Sequence, residues 1–453
     1  MEWGLILFMV VGLSAVAAFE LIRWWRQRGP ITISRGTPAS LYPDIDPALC
    51  KTCGACVEAC PEKEKPLAIV DGLAQVVQPM SCIGHGECQR VCPYQAITLV
   101  IGDAKRGAQL PELSRDFESS LSGLYIVGEL GGMGLIYNAI TQAVRCMRGI
   151  DWAGVPRQSG VYQAIIVGAG PAGIAASLAA REAGLDFVTL EQEPDLGGTV
   201  RNFQRGKLVM TKPVELPLHG KIYLRRVEKE ALFDVWNSII ETHSLRHSVR
   251  FNSTLTAFSK DEQTGLFHLT VKSGETYTAQ RVLLALGRRV LRRLEPLQDK
   301  EFSDPARVLY RLDDATDHAN QDVLVCGGGN SAVESAMSLA EAGARVVLSY
   351  RKAAFQRIHP DNLKRFEAMV PSGKIRPVFC SKVSRVLEGV VELQIFRIEK
   401  TPDGKDEEVP IRIERIDNDL IFVFFGGTAP VKLLENGGVS LKLYKKDALE
   451  HAN

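Results

Sequence analysis

Seven of the ten cysteines in this 453-residue chain fall between positions 50 and 92. Cys50, Cys53, Cys56 and Cys60, with Pro61 following, read C-x2-C-x2-C-x3-C-P. Thiolates two residues apart on a tight loop converge on one iron–sulfur cluster, while a fourth after a longer spacer points to a second cluster. A second block, Cys82-Ile-Gly-His85-Gly-Glu-Cys88-Gln-Arg-Val-Cys92-Pro93, repeats the spacing with His85 in place of the second cysteine. A disulfide framework needs no such spacing and suits an oxidising compartment. Zinc sites usually show two separated cysteine pairs. Imidazole can ligate iron, and a neutral ligand in place of thiolate raises the reduction potential. Without a ligand at that corner, a three-iron cluster results.

Two glycine-rich turns offer a different chemistry. An apolar strand over 163–167 runs into Gly168-Ala-Gly170-Pro-Ala-Gly173, G-x-G-x-x-G, and then an alanine-rich helix. The first glycine allows a tight turn, the second admits a pyrophosphate, and the third brings helix and strand together. Glu191 closes the next strand, 186–190, where an acid meets ribose hydroxyls. Gly197-Gly198-Thr199 follows. The second turn, Gly327-Gly-Gly329-Asn330-Ser331-Ala332, also lies between a strand and a helix. The strand after it ends in Tyr350-Arg351-Lys352, with Arg357 nearby and no acid at the ribose position. Cations there suit a 2′-phosphate, which favours NADPH over NADH. A solvated run of charge is the plainer alternative.

The cysteine blocks resemble bacterial ferredoxins with two [4Fe–4S] clusters, over residues 38–102. The resemblance implies that each fourth cysteine serves the other cluster. One cluster would take Cys50, Cys53, Cys56 and Cys92. The other would take Cys60, Cys82, Cys88 and whatever His85 provides, either an imidazole ligand or a [3Fe–4S] corner. Residues 161–430 resemble the thioredoxin-reductase-like flavoproteins, through the two fingerprints, GGGNSAVE at 327–334, Ala285-Leu-Gly287 and the stretch 424–430. That likeness implies FAD on Gly168, Gly170, Gly173, Glu191, Gly198 and Thr199. It also implies NADPH, with NADH the alternative, on Gly327, Gly329, Asn330, Ser331, Arg351, Lys352 and Arg357.

Two departures matter. The redox C-x-x-C of thioredoxin reductases is missing, since Cys326 and Cys380 stand far apart and read as buried core thiols. The closing G-D motif and flavin-covering helix are also absent from 431–453. Ser122 to Gly132 with Gly128-Glu129, then Asn138 to Gln142, look like that segment placed before the first fingerprint. The resemblance therefore implies a circular permutation, with Glu129 keeping the carboxylate of the usual Asp and Cys146 structural on the covering helix.

These motifs need an α/β chain. The expectation is two Rossmann-like three-layer dinucleotide-binding domains, a small α+β ferredoxin domain and an N-terminal transmembrane helix. The divisions are an anchor at 1–22, a basic linker at 23–37, the ferredoxin domain at 38–102 and the permuted FAD-closing segment at 103–150. The FAD domain begins at 161–290, the NAD(P)H domain follows at 291–415, and 416–453 returns to the FAD domain. Trp3 to Ile22 is almost wholly apolar and long enough to span a bilayer. Arg23, Arg26 and Arg28 follow it, which places the rest of the chain, including its catalytic part, in the cytoplasm as a single-pass protein of the cytoplasmic membrane. A signal peptide would carry its charge before the apolar run. Net charge near +1 gives no electrostatic case for nucleic acid. The expected function is a membrane-anchored oxidoreductase moving electrons between NAD(P)H, FAD and two iron–sulfur sites. Its partner would be a redox protein or quinone-linked acceptor, and a homodimer is compatible with this. The alternatives are an NADPH-dependent disulfide reductase and a non-enzymatic redox sensor.

Overall fold

The computed structural model describes residues 41–444, except 47–48, 63–64, 71, 79–81, 83, 85, 102–107, 115, 132–134, 211–212, 225, 288–289, 292–293, 295–304, 356–357 and 402–405. The expected transmembrane helix and basic linker lie outside the described residues, as do His85 and Arg357. Among the described residues, no helix is long and apolar enough to cross a membrane.

The cysteine-rich region is built on an internal repeat. Strand β1 (Leu41–Ile45) leads to helix α1 (Ala55–Glu58) and the hairpin β2 (Leu67–Val70) and β3 (Leu73–Val76). Helix α2 (Glu87–Val91) then leads to β4 (Ile97–Ile101), which returns antiparallel to β1 with Ile45 opposite Ile97. Both helices start from a left-handed glycine, Gly54 at φ 76° and Gly86 at φ 75°. Such a turn is open to glycine without a Cβ penalty. Cys56, Leu67, Ala74, Cys88 and Ile97 form a small core.

Strand β5 (Ala108–Pro111) comes next and pairs antiparallel with Leu441–Tyr444, far along the chain. The first dinucleotide unit comprises β6 (Leu124–Ile126), α3 (Ile136–Gly149), β7 (Tyr162–Val167), α4 (Pro171–Glu182), β8 (Phe187–Leu190) and α5 (Lys229–Thr242). It continues through β9 (Val249–Arg250), β10 (Leu255–Lys260), β11 (Phe267–Val271) and β12 (Thr276–Leu284). The sheet order is β9-β8-β7-β12-β11-β10, and β6 joins β12 in parallel with Leu283 opposite Tyr125. Thus a strand that precedes the first fingerprint extends the sheet beyond the strand that follows it. Ile165 and Ile166 are fully buried, as a parallel strand covered on both faces requires. Residues from α3, α4 and α5 pack on one face, and residues of β10 and β11 join Leu434 and Val439 in the core on the other.

The second unit is a five-stranded sheet of β13 (Val308–Leu309), β14 (Asp322–Cys326), β15 (Arg345–Tyr350), β16 (Ile375–Phe379) and β20 (Leu420–Val423), in the order β13-β20-β14-β15-β16. Helices α6 (Asn330–Glu341) and α7 (Pro360–Met369) cover one face. A meander of β17 (Ser381–Leu387), β18 (Val390–Lys400) and β19 (Asp406–Asp417) covers the other. The boundary expected at 415 is corrected by β20. Ile421 and Phe422 are fully buried, and β20 pairs with both β13 and β14, so the second unit runs to Val423. Helix α8 (Val431–Asn436) returns to the first unit against β10, and β21 (Leu441–Tyr444) closes on β5.

Candidate dinucleotide and cluster sites

The first fingerprint is shaped by what cannot fit there. A Cβ on Gly173 would stand 1.7 Å from the Gly168 carbonyl oxygen, and one on Gly168 (φ 105°) would stand 2.5 Å from the Ala285 oxygen. Gly170 meets nothing closer than 3.8 Å, so its surroundings are open to a ligand. Gly197 N–H donates to Ala169 O at 2.9 Å, bringing the Gly198–Val200 turn against the fingerprint. Glu191 is 3% exposed, and its carboxylate accepts from the backbone N–H groups of Ala169 and Glu193. Burial pushes its carboxyl above the usual range, against the pull of those N–H bonds. Thr199 lies on the Gly198–Val200 turn, near Gly287.

Across the C-terminal ends of these strands lies the segment after β6. Gly128 (φ 78°) opens a 3₁₀ turn, Gly128–Gly131, that carries half-buried Glu129. Gly128 N–H donates to Gln142 Oε1 of α3 at 2.8 Å. Asn138 stands one turn before Gln142 on the same helical face. Its amide nitrogen is buried without a hydrogen-bond partner. Buried amides are normally satisfied. An orphaned buried donor on the helix that holds Gly128 fits a flavin, which carries carbonyl and ring-nitrogen acceptors.

In the second unit, Gly327 (φ 146°) would place a Cβ 2.6 Å from the Phe424 oxygen, whereas Gly329 has open space before it. Asn330 Oδ1 accepts from His359 N–H at 2.7 Å and from Asn362 Nδ2 at 3.1 Å, so this residue anchors the turn before α7. Ser331 is exposed at the start of α6. Arg351 is exposed and Lys352 half-buried just beyond β15, and Tyr350 crowds Gly328. Cys326 is 2% exposed, as expected of a core thiol. Cys380 is not one: it is half-buried at the end of β16 with φ 48°, because the chain turns there from β16 into β17.

The thiols of the cysteine-rich region separate into two groups. Cys50, Cys53, Cys56 and Cys92 line one cavity floored by Ala74 and Ile97. A cavity walled by four thiols fits the donor set of an iron–sulfur cluster. Cys60, Cys82 and Cys88 are buried at 3%, 8% and 4% exposure. Burial first, then its thiol neighbours Cys82, Cys60 and Cys56, push Cys88 up to about 12. Burial pushes Cys82 up to about 11, with Cys60 and Glu62 adding to it. Around His85, Gly84 (φ 77°) and Gly86 (φ 75°) repeat the left-handed backbone of Thr52 (φ 59°) and Gly54 (φ 76°) around Cys53.

A family model described as pyridine nucleotide-disulphide oxidoreductase matches residues 165–451, well over half the chain. The chain belongs to the pyridine nucleotide-disulphide oxidoreductase family. A second match, to a 4Fe-4S dicluster domain, covers residues 42–93, so the chain is a fusion of the two. Ferredoxin–NADP reductase 1 of Lysinibacillus sphaericus is 23% identical over 291 residues, covering 62% of this chain and 74% of that protein. Bacilliredoxin reductase of Bacillus subtilis is 25% identical over 280 residues, covering 62% of this chain and 81% of that protein. Among solved structures, bacillithiol disulfide reductase from Staphylococcus aureus shares the fold with a TM-score of 0.50 at 21% identity, over 63% of this chain and 84% of that one. This family member is therefore an NAD(P)H-dependent oxidoreductase, and the matches support a flavin and iron–sulfur clusters as its cofactors.

Sequence reasoning missed the joint between the two dinucleotide units of this oxidoreductase. Lys207 Nζ lies 2.8 Å from Glu334 Oε2, and Gln204 Nε2 donates to Ser338 Oγ at 3.0 Å. Arg205 pairs with Asp314 at 3.0 Å. All three join residues more than 100 positions apart, and nothing in local pattern signals them. Gln142 was legible as part of the closing segment, but its bond to Gly128 was not.

Proposed function

We propose that this protein is a single-chain relay in which NADPH reduces a flavin held by the first unit, and electrons pass singly to two cluster sites and on to a partner at the membrane. Bound FAD would supply the conversion of one hydride into two single electrons, which is why it suits a nicotinamide on one side and iron–sulfur on the other. The chain's own residues do the positioning. Gly168, Gly170 and Gly173 admit the pyrophosphate, Glu191 offers its carboxylate to ribose, and Gly128, Glu129 and Asn138 close over the flavin. Gly327, Gly329 and Ser331 would take the second dinucleotide at the N-terminus of α6, with Asn330 holding the turn. Arg351 and Lys352, joined by Arg357, favour a 2′-phosphate.

The observation that carries the reading is the placement of β6. The cysteine-rich module joins directly to the segment that completes the flavin unit's sheet and its covering helix, through residues 102–107 and β5. A separate ferredoxin would need no such splice. The apolar run Trp3 to Ile22, with its basic flank, supports an anchor that keeps the relay on the cytoplasmic face. The sequence register of His85 with Cys53, and the left-handed Gly84 and Gly86 on either side of it, support His85 as the fourth ligand of the Cys60, Cys82 and Cys88 site.

The test is anaerobic addition of NADPH with absorbance and low-temperature EPR recorded together. Flavin bleaching followed by reduced-cluster signals is expected. Bleaching that leaves the clusters oxidised would remove the outward relay, and no bleaching with NADPH or NADH would remove the reading altogether. A second reading, reduction of a small disulfide, is favoured by the names of two relatives. Against it, Cys326 and Cys380 supply no dithiol, and NADPH turnover with a low-molecular-weight disulfide is the measurement that would revive it.

A further inference from the structure

We propose that Lys207 of the first unit belongs to the second unit's dinucleotide site, where it cancels the charge of Glu334, a carboxylate one helical turn from the place of the pyrophosphate. This rests on the reading above that α6 receives a nicotinamide dinucleotide, and it adds a residue from outside that unit.

The turn that opens α6 is fixed by hydrogen bonds from α7. Asn330 Oδ1 accepts from the His359 N–H at 2.7 Å and from Asn362 Nδ2 at 3.1 Å. The same Asn362 nitrogen donates to Glu334 Oε1 at 2.7 Å. An amide NH₂ carries two hydrogens, so both are committed, and the place of Glu334 requires an acceptor. Its Oε1 holds Asn362, and Asn362 holds Asn330 at the start of the fingerprint helix.

That acceptor brings a charge with it. Glu334 is the fifth residue of α6, about 6 Å along the axis from Asn330 and on the same helical face. Helical side chains lean back toward the N-terminus, which is where a pyrophosphate meets a fingerprint helix. An uncompensated carboxylate there repels the dinucleotide's phosphates. Its side chain is 24% exposed, so water and salt screen that repulsion less than at the open surface.

The compensating cation comes from the other unit. Lys207 Nζ lies 2.8 Å from Glu334 Oε2, off the alignment of a hydrogen bond, so the contact is one of charge. The Lys207 side chain is 22% exposed, and its ammonium sits 4.5 Å from the centre of the Phe203 ring, whose face attracts a cation.

Other contacts hold the two units together without it. Gln204 Nε2 donates to Ser338 Oγ at 3.0 Å, and Ser335 Oγ donates to Gln204 Oε1 at 3.4 Å. The Arg205 N–H donates to Asp313 O at 2.8 Å, and the Arg205 guanidinium pairs with Asp314 at 3.0 Å. These bonds survive loss of the Lys207 ammonium. What that loss leaves behind is a bare carboxylate beside the phosphate position.

Calorimetric titration of the flavin-loaded holoprotein with NADP⁺ tests this without turnover. Lys207→Met is expected to weaken NADP⁺ binding about tenfold, ~1.4 kcal/mol, with flavin absorbance unchanged, and Lys207→Arg to retain the affinity. NAD⁺ should weaken by the same factor, because both dinucleotides carry the pyrophosphate. Glu334→Gln keeps the acceptor for Asn362 and removes the charge. Combined with Lys207→Met, it should therefore restore the affinity of the unaltered protein. Arg205→Ala, which breaks a joint contact on a different element, should leave affinity unchanged. An unaltered affinity in Lys207→Met, no recovery in the double variant, or an equal loss in Arg205→Ala overturns the proposal. So does a loss confined to NADP⁺, which would put Lys207 at the 2′-phosphate. Failure of the underlying reading looks different: neither dinucleotide would bind the unaltered protein, and the proposal would fall with it.

Discussion

At the scale of single residues, the fingerprint glycines make the sharpest predictions. Gly173→Ala brings a Cβ to within 1.7 Å of the Gly168 oxygen, so the helix must move off the strand. Overpacking of this kind costs about 1–3 kcal/mol, and the purified variant should carry little flavin and melt earlier, read by flavin absorbance and a thermal scan. Arg351→Glu should raise KM for NADPH about tenfold, which is ~1.4 kcal/mol, and leave KM for NADH nearly unchanged. Equal effects on both would mean that Arg351 does not read the 2′-phosphate. Glu191 adds a pH signature. Burial raises its carboxyl pKa in the fold, so its contribution is fully present below the ordinary glutamate value of about 4.3 and is lost as pH rises through the raised value. The flavin-free protein should therefore lose melting temperature over that window, and Glu191→Gln should flatten the slope.

At the scale of elements, legibility tracked the range of the interactions. The two cysteine loops and both strand–turn–helix fingerprints were readable because each is a local pattern with its own physical cause. Left-handed Gly54 and Gly86 start short helices, and Gly173 lets α4 pack on β7. The end of the second unit was misplaced because β20 is a short apolar strand whose membership is decided by partners about 100 residues back, β13 and β14. A sequence window shows that such a strand exists and not which sheet claims it. Cys380 was read as core for a similar reason: its apolar run predicts burial, while the turn into β17 leaves it half open. The Lys207–Glu334 and Gln204–Ser338 contacts are long-range, polar and half-buried, so neither periodicity nor motif could find them.

For the molecule as a whole, the order of segments along the chain differs from their order in space. β21 and β5 are paired, with Leu441 opposite Pro111, and Ser440 N–H donates to Ser120 Oγ at 2.8 Å. Residues 150–161 meanwhile run directly from α3 into β7. A rearranged chain that joins Tyr444 to Ala108 by a short glycine-rich loop, and opens at Gly160, should therefore fold and bind one FAD without its ferredoxin module. Flavin content and near-ultraviolet circular dichroism would show it. An unfolded product would mean that the cysteine-rich module is needed to hold the closing segment in place.

The pairing of β5 with β21 also sets a schedule for biosynthesis. The two strands lie 330 positions apart, from Pro111 to Leu441. At about 5–20 residues per second on the ribosome, β5 waits on the order of 20–60 s for its partner. The cysteine loops are by then long exposed to the cell's cluster-assembly machinery, while the flavin unit still lacks the two-stranded seam beside it. Iron loading can thus precede flavin loading, and a chain released before Leu441 keeps its cluster loops but leaves β5 as an unpaired edge.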